Sequence, residues 1–143
     1  IDVTYKNNAG LNEDDRKFQH ETVMKLFNMT EELAYMVYVI DELILNENTN
    51  ESTRSELNEL KKSLVITTGD NYVGAAKKQL REKMSDLYSK VASSYDKPSA
   101  NELENLALIE NEMKSANKRY SKILKKVNST LIPKKSFEDF INE

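Results

Sequence analysis

The chain contains no cysteine and no tryptophan, and only 3 glycines, 2 prolines and 1 histidine among 143 residues. Without cysteine there are no disulfides, thiolate metal sites or cysteine nucleophiles, although the compartment stays open because exported domains also lack cysteine. So little glycine and proline leaves no punctuation for the turns of a many-stranded sandwich or barrel, which favours long helices. No apolar run approaches the roughly 18–20 residues that cross a bilayer. The 21 basic and 24 acidic residues give a formal charge of −3, without the broad basic footprint of a nucleic-acid or anionic-lipid binder. No nucleic-acid partner is expected.

What is present is charge and helical period. Charged residues make up 31% and hydrophobic residues 38%, with a mean hydropathy of −0.69, the balance of slender helices that each expose one broad face. The length suits one domain with a real core. Residues 1–11 (IDVTYKNNAGL) have no helical period and read as an extended connector. The chain begins at Ile1 without a Met or a signal-type apolar segment, so it reads as processed or as a piece of a longer protein.

A first helix is expected from Asn12, a cap candidate followed by Glu13, Asp14 and Asp15 at the positive end of the helix dipole. Its stripe of Phe18, Val23, Leu26, Phe27, Thr30, Leu33, Val37, Ile40, Leu43 and Ile44 carries it to about Asn46. After a polar turn, Ser52 or Thr53 with Glu56 offers a capping box for a second helix striped by Leu57, Leu60 and Leu64. Gly69 to Gly74 interrupts the pattern. The period resumes from Ala75 with Ala76, Leu80, Met84, Leu87, Val91 and Tyr95, and Asp96-Lys97-Pro98-Ser99 then stops the third helix and caps the fourth. In the fourth, Leu106, Met113, Tyr120 and Val127 with Ile109, Ala116 and Ile123 form coiled-coil seams that Pro133 ends.

The expected fold is therefore all-α: an elongated up-down bundle of three long helical layers whose middle helix is interrupted near Gly69–Gly74. A four-helix bundle is the alternative. The bundle covers residues 12–131, and residues 132–143 form a short C-terminal helix or tail in which Phe137, Phe140 and Ile141 share one side.

Candidate chemistry is thin. A di-metal bundle needs Glu-x-x-His pairs, yet Lys17 stands three residues before His20 and there is no second histidine, so His20 reads as a surface residue. The acid pairs Glu31/Glu32, Asp41/Glu42 and Glu102/Glu104 point about 100° apart on a helix and suit solvated faces better than a glycosidase cleft. The loop after the second helix lacks a Gly-Lys-Ser/Thr phosphate-binding ending. Lys118, Arg119, Lys122, Lys125, Lys126, Lys134 and Lys135 lie where a helix C-terminus favours cations. Tyr120, Tyr88, Tyr95, Phe18 and Phe27 fall on or beside apolar stripes and are expected in the core. The chain is expected to be no enzyme and to need no cofactor or metal. Its candidate ligand or partner contacts are Tyr5, Asp70, Asn71 and Tyr72, in the irregular segments.

Ile66 to Met113 (ITTGDNYVGAAKKQLREKMSDLYSKVASSYDKPSANELENLALIENEM), together with a preceding helix that ends in IDEL and a polar turn, resembles a known helical region. It is similar to the segment that follows the β-propeller in bacterial BNR-repeat or sortilin-type proteins classed as glycosyl hydrolases, over about Asn12 to Thr130. The resemblance implies an accessory, non-catalytic bundle of an extracytoplasmic (periplasmic, cell-surface or outer-membrane-associated) carbohydrate-processing or carbohydrate-binding protein. Its implied partner is the adjoining propeller or another protein, with carbohydrate as a further ligand. No catalytic residue transfers, because that family's active centre lies in the propeller. The rival expectation is a coiled-coil assembly or adaptor domain without a carbohydrate role, with oligomers formed through the helix seams.

Overall fold

The computed structural model describes residues 12–66 and 77–143, which form helices and no strand. Four main helices, α1 (Glu13–Leu45), α2 (Glu51–Leu64), α3 (Leu80–Ala92) and α4 (Ala100–Lys125), precede a 3₁₀ turn (Ser129–Leu131) and a short α5 (Phe137–Ile141). The interruption expected at Gly69–Gly74, like the connector 1–11, lies outside the described residues. Among the described residues, one helix ends at Leu64 and the next begins at Leu80.

Contacts fix the layers. Lys61 pairs with Asp41 at 2.6 Å, so α2 runs antiparallel to the C-terminal half of α1. Gln19 Nε2 donates to the carbonyls of Val91 (2.7 Å) and Ser94 (2.9 Å), so the end of α3 meets the start of α1. On the other side, Lys83–Glu112 (2.8 Å) and Lys126–Glu56 (3.0 Å) lay α4 antiparallel along both α3 and α2. The Ile66 amide donates to Glu82 Oε1 at 3.1 Å, which joins the tail of α2 to the head of α3. This is the expected up-down-up bundle with a two-piece middle layer. The 33-residue α1 and 26-residue α4 flank two helices of 14 and 13 residues.

The core is a continuous column. Leu26, Leu33, Ile40 and Leu43 from α1, Leu57, Leu60 and Leu64 from α2, Leu80, Met84 and Val91 from α3, and Leu106, Ile109, Met113, Ala116 and Ile123 from α4 are all buried. Each large side chain here contributes about 1.5–3 kcal/mol by leaving water. Every buried side-chain nitrogen and oxygen among the described residues has a hydrogen-bond partner.

The joints are capped by local chemistry. Asn12 Oδ1 accepts from the Asp15 amide at 2.8 Å, and Ser99 and Glu102 exchange the two bonds of a capping box. The last turn of α1 has no basic residue of its own. Arg54 of α2 substitutes, donating to the carbonyls of Ile44 (3.0 Å) and Asn46 (2.8 Å), while the buried Thr49 hydroxyl donates to the Leu43 carbonyl at 2.6 Å.

Several expectations are corrected. Phe18 and Phe27 are 39% and 43% exposed, and Met36 and Val39 are buried instead. Phe27 follows the wholly buried Leu26 by one residue, about 100° around the helix, so both cannot face one narrow seam. Phe18 lies where the opposing α3 runs out, as the bonds from Gln19 to its last carbonyls show. Tyr95 is 77% exposed, because α3 stops at Ala92 and leaves it in the turn. The cap of α2 is Asn50, whose Oδ1 accepts from the Ser52 amide at 2.8 Å, whereas Thr53 points inward and is buried. The third helix begins at Leu80, five residues later than Ala75, where Glu82 turns back to cap it. Nor does α4 run to Pro133. The Lys126 and Val127 amides shift to bonds of 3.0 and 3.1 Å with the carbonyls of Ile123 and Leu124, which tightens the final turn, and Asn128 starts the 3₁₀ segment.

Candidate interaction surfaces

The irregular-segment contacts proposed from sequence, Tyr5, Asp70, Asn71 and Tyr72, all lie outside the described residues. His20 is exposed on α1. The acid pairs are not assembled into a site: Asp41 pairs with Lys61, Glu102 caps α4, and the remaining acids stand on helix faces. No group of three or more His, Cys, Asp or Glu side chains among the described residues is placed to hold a metal ion. No helix among them is long and apolar enough to cross a membrane.

Two surfaces stand out among the described residues. One is a shallow trough along α4, with depressions of about 290, 350 and 330 Å³, the first two sharing Leu108 and Glu112 and the last two sharing Arg119. Leu87, Ile109, Leu64, Leu80, Ala116 and Ile123 form its floor. Its rim is ion-paired through Lys78–Asp86, Lys83–Glu112 and Lys126–Glu56. The basic cluster read from the sequence is thus partly spent on this chain's own acids.

The other is an aromatic seat on α1. Phe137 and Phe140, three residues apart on α5, meet Tyr35 edge-on at ring-centroid distances of 5.6 and 5.5 Å, and Phe140 lies 5.3 Å from Tyr38. The Tyr35 hydroxyl donates to the Lys135 carbonyl at 2.7 Å, and Lys135 Nζ stands 5.5 Å from the centre of the Tyr38 ring. The hydrogen bond to Glu143 raises the Lys135 pKa first, with smaller contributions from Tyr38 and Glu42. Sequence placed the tail's phenylalanines on one side. It missed the seat, because Tyr35 and Tyr38 lie off the core stripe.

Behind the seat, burial and then the neighbouring Tyr35 push the Tyr120 phenol from 10.0 up to about 12. The unfolded chain releases this proton near pH 10 and the folded chain holds it to about 12, so its stabilising contribution is complete below pH 10 and declines above it. Urea melts of the wild type and Tyr120→Phe should show the wild type losing ground to the variant as pH rises through this window. A pH-independent gap would mean that Tyr120 ionises freely in the fold.

No family model, curated protein or solved structure matches this chain.

Proposed function

We propose that this chain is a non-catalytic interaction bundle, an accessory domain that holds other proteins through the outer faces of its helices. The observation that carries the reading is the set of large apolar side chains left outside the core: Leu45 on α1 and Leu108 on α4 are mostly exposed, and Met24 and Phe27 on α1 are about two-fifths exposed. Such a surface offers side chains to a partner rather than reactive groups to a substrate. The finer proposal comes from the resemblance: service to an extracytoplasmic carbohydrate-processing or carbohydrate-binding protein, beside a propeller. The rival is a coiled-coil assembly role without carbohydrate, and the long helices support it equally.

A panel of chromogenic glycosides, run beside a glycan array, tests these readings. No turnover is expected. Hydrolysis abolished by changing one acid of this chain would overturn the accessory role. Glycan binding lost in Tyr72→Ala or Tyr5→Ala, without turnover, would support the carbohydrate association.

A further inference from the structure

Once its core residues are set aside, α1 carries a second heptad stripe. Met24, Phe27, Glu31, Ala34, Tyr38, Asp41 and Leu45 follow one another at alternating three- and four-residue steps, the repeat that keeps one helix face against a partner helix. Five of the seven are apolar, over roughly 30 Å of helix. Met24 and Phe27 stand at one end and Leu45, 80% exposed, at the other. The middle is already occupied, since α5 lays Phe140 on Tyr38 and both its phenylalanines on the adjoining Tyr35.

That occupant shows what the face accepts. It brings two aromatic anchors three residues apart on a helix, with Glu138 and Asp139 between them and a lysine before them over the Tyr38 ring. The acids of the face agree: Glu21, Glu31, Asp41 and Glu42 stand at or beside the stripe, and Lys17, one heptad before Met24, is the cation on its line. The acids outnumber that lysine four to one, and among the described residues Asp41 alone of the four is in an ion pair. The same acids count against a second copy of α1, whose stripe would bring four carboxylates against one lysine. The geometry points to a docking site on this face of α1 for a basic amphipathic helix of a partner protein, with α5 as the built-in competitor that the partner displaces. This deepens the interaction reading and rests on it.

The competitor is suited to leave. At five residues α5 is below the length at which a helix sustains itself, and none of its residues is buried. Undocking uncovers Tyr35 and Tyr38 and makes the apolar stripe continuous. A partner helix that reaches from Met24 to Leu45 must first shift this equilibrium, which lowers its apparent affinity by the fraction of time the seat is open.

The test uses a synthetic three-heptad helix with Leu at its a and d positions and Lys at e and g, and an otherwise identical peptide with Glu at e and g. Both are titrated by fluorescence anisotropy into the full chain and into Phe137→Ala/Phe140→Ala. The Lys peptide should bind the tail variant about ten-fold more tightly than the parent, and added salt should weaken it. Leu45→Asp, at a side chain 80% exposed, should keep the parent's melting transition and lose this binding, while Phe27→Asp, at one 43% exposed, should lose this binding with a lowered but still cooperative transition. Equal binding of the Glu peptide, equal affinity with and without the tail phenylalanines, or dimerisation of the tail variant in sedimentation would each overturn the site. Peptide binding untouched by Phe27→Asp would also overturn it, while leaving the interaction reading in place for another face.

Discussion

Leu106→Asp is expected to leave the chain without a cooperative unfolding transition, while His20→Ala melts within about 0.5 kcal/mol of the parent. Leu106 is buried near the start of α4 and belongs to the column shared with Ile109 and Met113. Removing a buried leucine side chain costs about 2–5 kcal/mol. The aspartate adds several more, because its charge has no partner there. The sum rivals the whole stability of a domain, about 5–15 kcal/mol. Ile123→Asp probes the other end of α4 in the same way. His20, by contrast, stands exposed on α1. Thermal melts followed by circular dichroism decide the matter, and a His20→Ala loss as large as that of Leu106→Asp would show that the exposed ring anchors something the packing does not reveal.

What sequence could and could not predict divides along physical lines. The α4 seam was legible because one helix with one apolar face produces an unbroken heptad, and because Ser99 and Glu102 form a capping box with only one sensible direction. The two-piece middle layer was legible from length, since α2 and α3 together match the span of their long neighbours. On α1 the same method blurred. That helix has a core face and a second apolar face, so Leu26 and Phe27 read as one wide stripe until the structure separates them. Subtracting an inferred core and looking again for a heptad would have found Met24, Phe27, Ala34, Tyr38 and Leu45. Caps were ambiguous for another reason: Asn50, Ser52 and Thr53 are all competent, and only the inward turn of Thr53 leaves the cap to Asn50. The tail's seat depends on Tyr35 meeting Phe137, a contact between residues about a hundred positions apart that no local pattern carries.

The junction inside the middle layer yields the second large effect. Two short helices stacked end to end present the last carbonyls of one and the first amides of the other, and each end needs partners. Glu82 caps the second helix and ties it to the chain leaving the first: its Oε1 accepts from the Gln79 amide at the head of α3 at 3.4 Å and from the Ile66 amide just beyond α2 at 3.1 Å, while Oε2 pairs with Arg81 at 3.0 Å. Losing a cap costs about 1 kcal/mol, and hydrogen bonds to a charged group contribute about 1.5–3 kcal/mol when they are well formed. Glu82→Ala should therefore destabilise the chain by about 2 kcal/mol, a fall in Tm of roughly 4–8 °C. Glu82→Gln keeps an acceptor oxygen and should recover about half of the ~2 kcal/mol. The loss should be local as well as global, with faster amide exchange at Ile66 and in the first turn of α3 than in α1 or α4. An unchanged melt with unchanged exchange at Ile66 would mean that α2 and α3 are held in line by their separate contacts with α1 and α4, without any direct tie.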